Sequence, residues 1–384
     1  MGIVGAGPVG LTLALELARR GVPSTVLDAG ERGCVGSRAI ALHRSALTTW
    51  EPLGVTSFIV GGGVAWRVRR TFYREAEVHT LILPEPAPGE LPLWTNYPQS
   101  ALETLLLDAA EASELIELCW RCRVVGLGVD DASVTLAVDT GDPSLRTCNF
   151  RYVVAADGCR STMREAMRLP FPGASYPDQF LITDVRAAVD WPAEPRFHFD
   201  HPCHPGSTVL IHPQPSNIWR VDWQLGRGID PEVIDTLARV KLDQLFGSIP
   251  YRLVWSSVYR FHQRLLPQLH YPTTRPRVFF AGDAAHLVAP FGARGLNSGI
   301  ADVACLAPRL ARVITGDMSP EILRSYTTQR IPALLRDQRD VTATMRFMTP
   351  QNRVDRARQR TVLHLATRWP RARGWINSGR MYQP

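Results

Sequence analysis

The chain has 384 residues, of which 45% are hydrophobic and 21% are charged, as in globular proteins of about two domains. Its formal net charge of +7 comes almost entirely from arginine, since Lys241 is the one lysine among 43 lysine and arginine residues. The arginines are scattered, which argues against a nucleic-acid arm, and the lysine that a P-loop needs is missing. No apolar run reaches membrane-spanning length, and the glycine motif at Gly5 excludes a signal peptide. We therefore expect a cytoplasmic protein that binds neither nucleic acid nor membranes.

The first stretch with a recognisable chemistry is a strand, a glycine turn, a helix, a second strand and an acid. The turn is a GxGxxG motif, made by Gly5, Gly7 and Gly10. A helix is predicted over 11–20 and a strand over 24–27, after which Asp28 can accept hydrogen bonds from an adenosine ribose. This order predicts a dinucleotide site but does not separate NAD from FAD. The first strand is expected to be very short.

Two candidate cofactor residues follow, each with an ordinary alternative. Arg38 lies just beyond the second strand, where a guanidinium can bind a pyrophosphate with two hydrogen bonds, although an arginine in this position is more often a solvated surface residue. Gln99 begins a predicted helix and can bond a flavin ring or ribityl edge, or can be a helix-start residue only. Residues 54–95 are predicted to form short strands and loops. Further strands are predicted over 115–126, 133–138 and 146–154.

The seven cysteines of the chain do not indicate a disulfide framework or a metal site. Cys119 and Cys122 form a CxxC, but they lie in a stretch that alternates like a strand. No second CxxC or histidine pair accompanies them, so neither zinc binding nor thioredoxin chemistry is favoured. We interpret both residues as structural.

A second cofactor-type stretch begins with a predicted strand over 152–156. Asp157 and Gly158 end this strand, and a helix is predicted from Ser161. An acid therefore lies again at a strand end beside a helix N-terminus. Asp157 can bond cofactor hydroxyls directly or hold the loop by capping the segment around Ser161, and the sequence leaves both readings open.

Residues 170–265 differ from the rest, with many tryptophans, prolines and histidines and short alternating stretches such as 208–212 and 218–225. This pattern predicts an antiparallel sheet without a phosphate loop. We interpret the region as a substrate-covering domain inserted into the nucleotide-binding fold.

The third cofactor-type stretch is a strand over 278–281, an acidic turn, a glycine loop and a long helix. Asp283 can accept hydrogen bonds from a ribityl or ribose hydroxyl. Gly292 and Gly295 let backbone N–H groups approach a ligand, and the following helix offers its positive N-terminal end. A further long helix is predicted over 320–344.

Together the three stretches resemble group A flavoprotein monooxygenases, the family of para-hydroxybenzoate and 3-(3-hydroxyphenyl)propionate hydroxylases. The resemblance covers nearly the whole chain, and the departures from the family pattern include the short first strand and Ala289, where many members have a proline. It rests on Gly5-Ala-Gly-Pro-Val-Gly10, on Asp157-Gly158 with Ser161 and Arg164, and on Gly282-Asp-Ala-Ala-His286 followed by Pro290, Gly292, Gly295, Leu296 and Asn297.

The resemblance implies an α/β fold, with a Rossmann-like FAD-binding domain and an inserted antiparallel β-sheet substrate domain. The FAD-binding domain is expected to be discontinuous, over 1–172 and 266–348, with 55–97 contributing to the substrate side. The substrate domain is expected over 173–265, and a helical tail over 349–384.

The resemblance also implies residue roles. Gly5, Gly7 and Gly10 would hold the FAD pyrophosphate and Asp28 the adenosine ribose. Other expected cofactor residues are Arg38, Gln99, Asp157, Gly158, Gly282, Asp283, Gly295, Leu296 and Asn297. Among these, Leu296 and Asn297 are expected at the pyrimidine edge of the isoalloxazine. Pro290 is the candidate catalytic residue, with its carbonyl near substrate and flavin.

The implied reaction is hydroxylation of a phenolic or aromatic substrate by O2 through a flavin C4a-hydroperoxide, with NADH or NADPH as electron donor. Because such chemistry belongs to the cofactor, no Ser-His-Asp set or metal cluster is expected. His286 is interpreted as structural, and a substrate-activating base is expected within 180–265, with His198, His212 and Tyr259 as unranked candidates. The alternatives are an epoxidase, halogenase or reductase of the same fold, or a degenerate FAD-binding protein without activity. Substrate identity and oligomeric state are not predicted.

Overall fold

The computed structural model describes residues 1–32, 39–226, 228 and 231–376. In this part of the chain the strands are β1 (Gly2–Val4), β2 (Ser24–Leu27), β3 (Ala41–His43), β4 (Val64–Ala65), β5 (Val68–Tyr73), β6 (Ala76–Ile82), β7 (Trp94–Asn96), β8 (Ile116–Cys119), β9 (Arg123–Val129), β10 (Val134–Asp139), β11 (Arg146–Phe150), β12 (Val153–Ala155), β13 (Gly173–Ala187), β14 (Arg196–His201), β15 (His204–Gln214), β16 (Ile218–Leu225), β17 (Tyr251–Leu265), β18 (His270–Tyr271), β19 (Val278–Phe280) and β20 (His286–Leu287).

The helices of the same residues are α1 (Pro8–Ala18), α2 (Arg44–Trp50), α3 (Thr56–Gly62), α4 (Gln99–Glu111), α5 (Thr162–Ala166), α6 (Ile234–Phe246), α7 (Arg294–Ile314), α8 (Ser325–Met348), α9 (Arg353–Arg368) and α10 (Arg373–Ile376). Single 3₁₀ turns lie at Glu51–Leu53, Pro231–Val233, Gly282–Ala284, Pro320–Arg324 and Pro370–Ala372. No helix in the part of the chain described here is long and apolar enough to cross a bilayer.

A six-stranded sheet with the order β18-β19-β12-β1-β2-β8 forms the first layer. All neighbouring pairs except β18–β19 are parallel. Its central strands are short apolar runs, and β1, β12 and β19 are buried at every position, as expected for a sheet covered on both faces. The consequence is that β1, β2, β12 and β19 all end at the same edge.

An eight-stranded sheet with the order β20-β17-β13-β16-β15-β14-β5-β6 forms the second large layer. Side chains alternate along its strands, so the two faces bury different cores. One face packs with α6 around Val209, Val221 and Trp223. The other face contributes Phe180 and Leu210 to a cluster that also contains residues of the loop before α7 and of α8 and α9.

Several predicted elements are confirmed, among them β2, β16, α4 and the helix that follows the third motif. Two predicted strands were too long. Residues 115–126 are split into β8 and β9 because Arg121 adopts a left-handed conformation, with φ 55°. Residues 146–154 are split into β11 and β12, which belong to different sheets. The prediction of strands and loops alone over 54–95 was also wrong, since α3 lies there.

Candidate cofactor and active site

The three predicted cofactor stretches meet at one edge of the parallel sheet. Val4 pairs with Ala155 and with Leu27, and Ala155 pairs with Phe280, so the four strands end at the same level. The turns after these strands carry the glycine motif, Asp28, Asp157 and Asp283. In open α/β sheets this carboxyl edge is where ligands bind.

The three glycines of the turn differ in the space around them. There is open space beside Gly7, whereas a side chain on Gly5 or Gly10 would overlap the backbone. Gly5 has φ +107°, and a Cβ there would overlap the carbonyl oxygen of Ala156. A Cβ on Gly10 would overlap the carbonyl oxygen of Gly5. At Gly7 a Cβ would meet no atom within 4 Å. Since Gly7 is the N-cap of α1, this open side faces the first-turn N–H groups, where an anion is favoured.

Asp28 is engaged with the backbone of its own turns. Its Oδ2 accepts a hydrogen bond from Ala6 N at 2.7 Å, and its Oδ1 accepts one from Gly30 N at 2.7 Å. The carboxylate therefore holds the glycine turn against the end of β2. Each oxygen keeps a second lone pair, so the predicted bond to a ribose hydroxyl stays a prediction.

Gln99 holds the segment that leads into β3. Its Oε1 accepts a hydrogen bond from Ala39 N at 3.0 Å, and its Nε2 donates to Glu103 Oε1 at 2.7 Å. A contact of Gln99 with the flavin stays a prediction. Arg38 lies outside the described residues.

Asp157 performs one of the two roles that the sequence left open, and the other, a bond to cofactor hydroxyls, stays a prediction. Its Oδ2 accepts hydrogen bonds from Met163 N at 3.1 Å and from Thr162 Oγ1 at 3.2 Å, which caps α5. Its Oδ1 is shielded from solvent and has no hydrogen-bond partner among the described residues. Burial raises the pKa of this carboxyl. An unpaired oxygen at this depth is costly unless a ligand donates to it, so Asp157 is suited to a cofactor hydroxyl. Gly158 follows with φ +76°.

Arg164 joins the second motif to the third. Its Nη1 donates to Ala284 O at 3.0 Å and its Nη2 to Cys159 O at 2.8 Å. The guanidinium also lies over the ring of Phe171, 4.0 Å from its centroid. The arginine therefore fixes the turn after β12 relative to the turn after β19.

A buried network behind the third motif was not predicted. His286 Nε2 lies 2.6 Å from Asp302 Oδ2, which also accepts from Gly282 N at 2.9 Å. Arg330 Nε donates to Asp302 Oδ1 at 2.7 Å. His286 and Arg330 hold the pKa of Asp302 below its usual value, against the effect of burial. The signal that could have found it is an acid at 302 within the apolar stripe of α7, where burial requires a partner.

The Gly282 turn packs tightly on α1 and α7, while Asp283 is only partly buried beside it. Gly282 has φ +60°, and a Cβ there would lie 2.9 Å from the side chain of Val9. Val9 is also the neighbour of Gly299 on α7, at 2.7 Å from its Cβ position. Glycine at both positions allows the N-terminal parts of α1 and α7 to pack closely against the turn after β19.

The N-terminus of α7 is tied to β3 by Asn297. Its Oδ1 accepts from His43 N at 2.9 Å, and its Nδ2 donates to Ala41 O at 3.0 Å and to Ala293 O at 2.7 Å. The amide side chain is therefore used within the protein. The groups that remain for the predicted contact with the pyrimidine edge are therefore the backbone N–H groups of Leu296 and Asn297, and not the Asn297 side chain. The first turn of a helix has no internal acceptors for such N–H groups.

The loop before α7 packs against the eight-stranded sheet. Pro290 is exposed, and its carbonyl oxygen accepts a hydrogen bond from Ala293 N at 3.0 Å. Phe291 packs on Phe180, with ring centroids 5.7 Å apart. The candidate catalytic proline therefore lies next to an aromatic contact between the loop and the eight-stranded sheet. Gly295 is the second residue of α7 and has no atom within 4 Å of a Cβ position.

Taken together, the donors and the space fit a dinucleotide with a hydroxyl-rich chain. The open glycine turn at α1 suits a pyrophosphate, and the unpaired Asp157 oxygen suits a hydroxyl donor. The free first turn of α7 suits the acceptor atoms of a flavin edge.

The family model described as FAD binding domain matches residues 1–339. The chain belongs to this family. It is 35% identical over 365 residues to 6-methylpretetramide 4-monooxygenase of Streptomyces rimosus, covering 89% of the chain and 61% of that relative. It is 28% identical over 361 residues to para-nitrophenol 4-monooxygenase of a Pseudomonas strain, covering 90% of the chain and 85% of that relative. The crystal structure of p-nitrophenol 4-monooxygenase PnpA from Pseudomonas putida superposes with a TM-score of 0.83 at 24% identity, over 98% of this chain and 95% of that one.

These similarities confirm the predicted resemblance, the α/β fold with an antiparallel sheet, and FAD as the cofactor of the family. The chain spans about three fifths of the length of the first relatives, 61% for 6-methylpretetramide 4-monooxygenase. The individual residue roles and the domain boundaries stay predictions.

The CxxC lies beside the Asp28 turn, where Asp28 N donates to Cys119 O at 2.9 Å and Cys122 N donates to Asp28 O at 2.8 Å. Cys119 and Cys122 are both free and partly buried. Burial raises the pKa of Cys119 to about 11, with further contributions from Glu117 and the neighbouring thiols. A thiol with a raised pKa is a poor nucleophile, which agrees with the structural interpretation of the motif.

Proposed function

We propose that the protein is an FAD-dependent monooxygenase that consumes NADH or NADPH and O2 and hydroxylates a small phenolic substrate. The observation that carries the proposal is the convergence of the three cofactor stretches at one sheet edge, beside the aromatic face of a second sheet. The relatives named above support it, since both are named as monooxygenases and one is named for para-nitrophenol. The alternatives, a reaction of another kind or a degenerate protein, have no comparable support.

In this proposal the first sheet holds the cofactor. The glycine turn and α1 would bind the pyrophosphate, Asp28 and Asp157 cofactor hydroxyls, and the first turn of α7 the flavin edge. Residues 1–172 and 266–348 would form this part, and 173–265 with β5 and β6 the substrate side. The chemistry that FAD supplies when bound is hydride acceptance from the nicotinamide and transfer of one oxygen atom from O2.

The protein itself would position the substrate ring and exclude water. The face of the eight-stranded sheet next to the loop before α7 is rich in aromatic residues, and Phe261 lies 5.6 Å from Phe291 and 4.8 Å from Phe180 between ring centroids. Such a wall binds a flat apolar ring and removes water from the reacting atoms. Pro290 would border this space.

The test is absorption spectroscopy of the purified protein before and after NADH or NADPH, in air, with a panel of phenols. We expect flavin bands that bleach faster in the presence of one phenol class, and a hydroxylated product by mass spectrometry. A protein that takes up no FAD contradicts the whole proposal. NAD(P)H oxidation that no phenol accelerates contradicts the hydroxylase activity. A cytoplasmic location, where the nicotinamide donors are available, stays a prediction.

A further inference from the structure

The inference concerns the polar groups on the face of the eight-stranded sheet that is turned toward the loop before α7. Side chains on this face alternate with those that pack on α6, so β13, β15 and β16 each contribute every second residue. Phe180 of this face contacts Phe291 of the loop. Asn96 Nδ2, on β7, donates to Pro213 O of β15 at 2.9 Å. The face therefore lies against the elements that Asn297 ties to α7.

One acid–base pair on this face is already matched. Arg220 donates to Asp184 with two hydrogen bonds, Nε to Oδ1 at 2.9 Å and Nη2 to Oδ2 at 2.8 Å. Gln214 adds a third hydrogen bond to Asp184 Oδ1 at 2.8 Å. Both partners are buried. Because the charge of Arg220 is balanced in place, it is a poor site for an anionic group of a substrate.

Asp222 lies two residues further along β16, on the same face, without such a partner. Its direct neighbours across the ladder are Leu210 and Ile182, both apolar. Its Oδ1 is shielded from solvent and has no hydrogen-bond partner within the described ranges. Asp222 is enclosed by protein, yet part of its surface stays accessible. This partly accessible residue therefore presents an unpaired carboxyl oxygen on this face of the sheet.

We propose that the Asp222 carboxylate accepts the hydrogen bond of the substrate's phenolic hydroxyl and takes up its proton, so that the site is built for a phenol that arrives neutral. In this step the phenolic O–H bond breaks and an O–H bond forms on Asp222. The electron pair of the broken bond remains with the phenolate, where it is delocalised from the oxygen into the ring. The proton is released to water between turnovers. This inference rests on the proposed function, and it names the substrate class of the same site.

The electrostatics of the face agree with this role. Burial raises the pKa of Asp222 to about 7, with Arg220 opposing the shift and Asp184 adding to it. A base with a pKa near neutrality is suited to accept a proton under physiological conditions. Within the described residues, the other charged or titratable groups on this face include Arg69 and Tyr73 of β5, His79 of β6, His212 of β15 and Tyr259 of β17. Burial, with Arg220 and Arg69, lowers the pKa of His212 to about 3, so that ring stays neutral.

The test compares Asp222→Asn with the wild type, using the FAD-loaded protein at pH 8 and two phenols of similar size. 4-Methylphenol is neutral at this pH and needs a base, whereas 4-nitrophenol is already ionised. Binding is measured by the change in flavin absorbance on titration with each phenol, and turnover by NAD(P)H oxidation and product analysis. Asp190→Asn, an exposed carboxylate in the same part of the chain, is the matched control.

For 4-methylphenol we expect Asp222→Asn to lower kcat/KM about 100-fold and to weaken binding at least ~10-fold. For 4-nitrophenol we expect binding to be unchanged or tighter, because the variant removes a negative charge that opposes the phenolate. A wild-type kcat/KM that rises with pH through the titration of Asp222, and a variant that lacks this limb, would add support. Equal losses for both phenols would indicate structural damage and overturn the inference, as would no loss for either.

The two proposals can fail separately. Binding of 4-methylphenol that depends on Asp222, without phenol-stimulated NAD(P)H oxidation, would contradict the proposed function and support the inference. Hydroxylation of 4-methylphenol that is insensitive to Asp222→Asn would support the proposed function and contradict the inference.

Discussion

At the scale of single residues, Gly7 and Gly10 show two different reasons for glycine in one turn. A side chain on Gly10 would overlap the carbonyl oxygen of Gly5, so glycine is needed for the fold itself. A side chain on Gly7 would meet no protein atom, so glycine there is needed only if a ligand comes close. The two positions separate the requirements of folding from those of cofactor binding.

We therefore expect Gly7→Ala and Gly10→Ala to behave differently. Gly7→Ala should lower the free energy of unfolding of the FAD-free protein by about 1 kcal/mol or less, the cost of alanine at an N-cap. It should weaken FAD binding at least tenfold, about 1.4 kcal/mol. Gly10→Ala should lower the free energy of unfolding by about 3 kcal/mol because the overlap cannot relax. Urea unfolding and FAD titration measure both; equal FAD affinity of Gly7→Ala and wild type would contradict a pyrophosphate at this turn.

The sequence predicts residues well when a motif fixes their backbone, and poorly when distant partners decide their role. The glycine turn and the acid ends of three strands were found from local spacing alone. Asp302 and Asp222 were missed, because the network of Asp302 depends on Arg330 and the role we propose for Asp222 depends on a balanced Arg220–Asp184 pair. Of the three candidate bases, Tyr259 and His212 lie on the substrate face, but burial lowers the pKa of His212 to about 3, which makes it a weak base. Its charge state could be inferred only from three-dimensional burial.

At the scale of elements, α7 is the helix that connects the cofactor edge to the rest of the molecule. Asn297 ties its first turn to β3. One turn later, Asp302 binds the third motif through Gly282 N and His286, and binds α8 through Arg330. Because Asp302 is fully buried, these contacts are shielded from water and depend on one another.

Replacing Asp302 with asparagine should therefore destabilise the protein strongly. The change leaves Arg330, whose side chain is only 12% exposed, without its carboxylate, and removing one member of a buried pair costs about 3–5 kcal/mol. The measurement is urea unfolding at pH 7. FAD affinity should fall as well, since Asp302 positions the Gly282 turn.

Asp317→Asn is the control for that experiment, because Asp317 is an exposed acid just beyond the same helix. Its effect on the free energy of unfolding should stay within about 0.5 kcal/mol. If Asp302→Asn were as mild as this control, the network would not be a stabilising connection.

Element types were predictable where the hydrophobic period was long or the run short and apolar, as for α7 and β2. The limits of elements depended on the backbone conformation of single residues. Arg121 in a left-handed conformation separates β8 from β9, and no residue type at 121 signals it. Sheet membership was less predictable still, because β8 and β9 differ only in which distant strands they pair with.

At the scale of the whole molecule, the eight-stranded sheet is tied to α8 by polar contacts between distant segments. Thr208 Oγ1 on β15 donates to Met348 O of α8 at 2.8 Å. Gln263 on β17 donates to Gln338 O of the same helix at 2.7 Å. Such pairings could not be derived from sequence, since either partner is an ordinary polar residue alone. His198 and His212 of the second sheet are buried in the folded molecule, so its stability depends on pH.

His198 shows the direction of this dependence. Its ring stacks on Phe72 with centroids 4.6 Å apart, and both ring nitrogens lack hydrogen-bond partners among the residues described. Burial, then His201 and Arg196, lower the pKa of His198 from 6.5 to about 3. Between these values the unfolded chain binds a proton that the folded protein does not. Stability is therefore full above pH 6.5 and falls as the pH drops toward 3.

For His198→Phe we expect a smaller loss of stability in acid than for the wild type. One histidine with this shift costs about 2 kcal/mol between pH 7.5 and pH 5, and phenylalanine keeps the stack on Phe72 without taking up a proton. Urea unfolding at both pH values measures the difference, with His364→Gln, an exposed position on α9, as the control. If His198→Phe lost as much stability as the wild type, the acid sensitivity would have to arise from other groups, since a ring that never binds a proton cannot contribute to it.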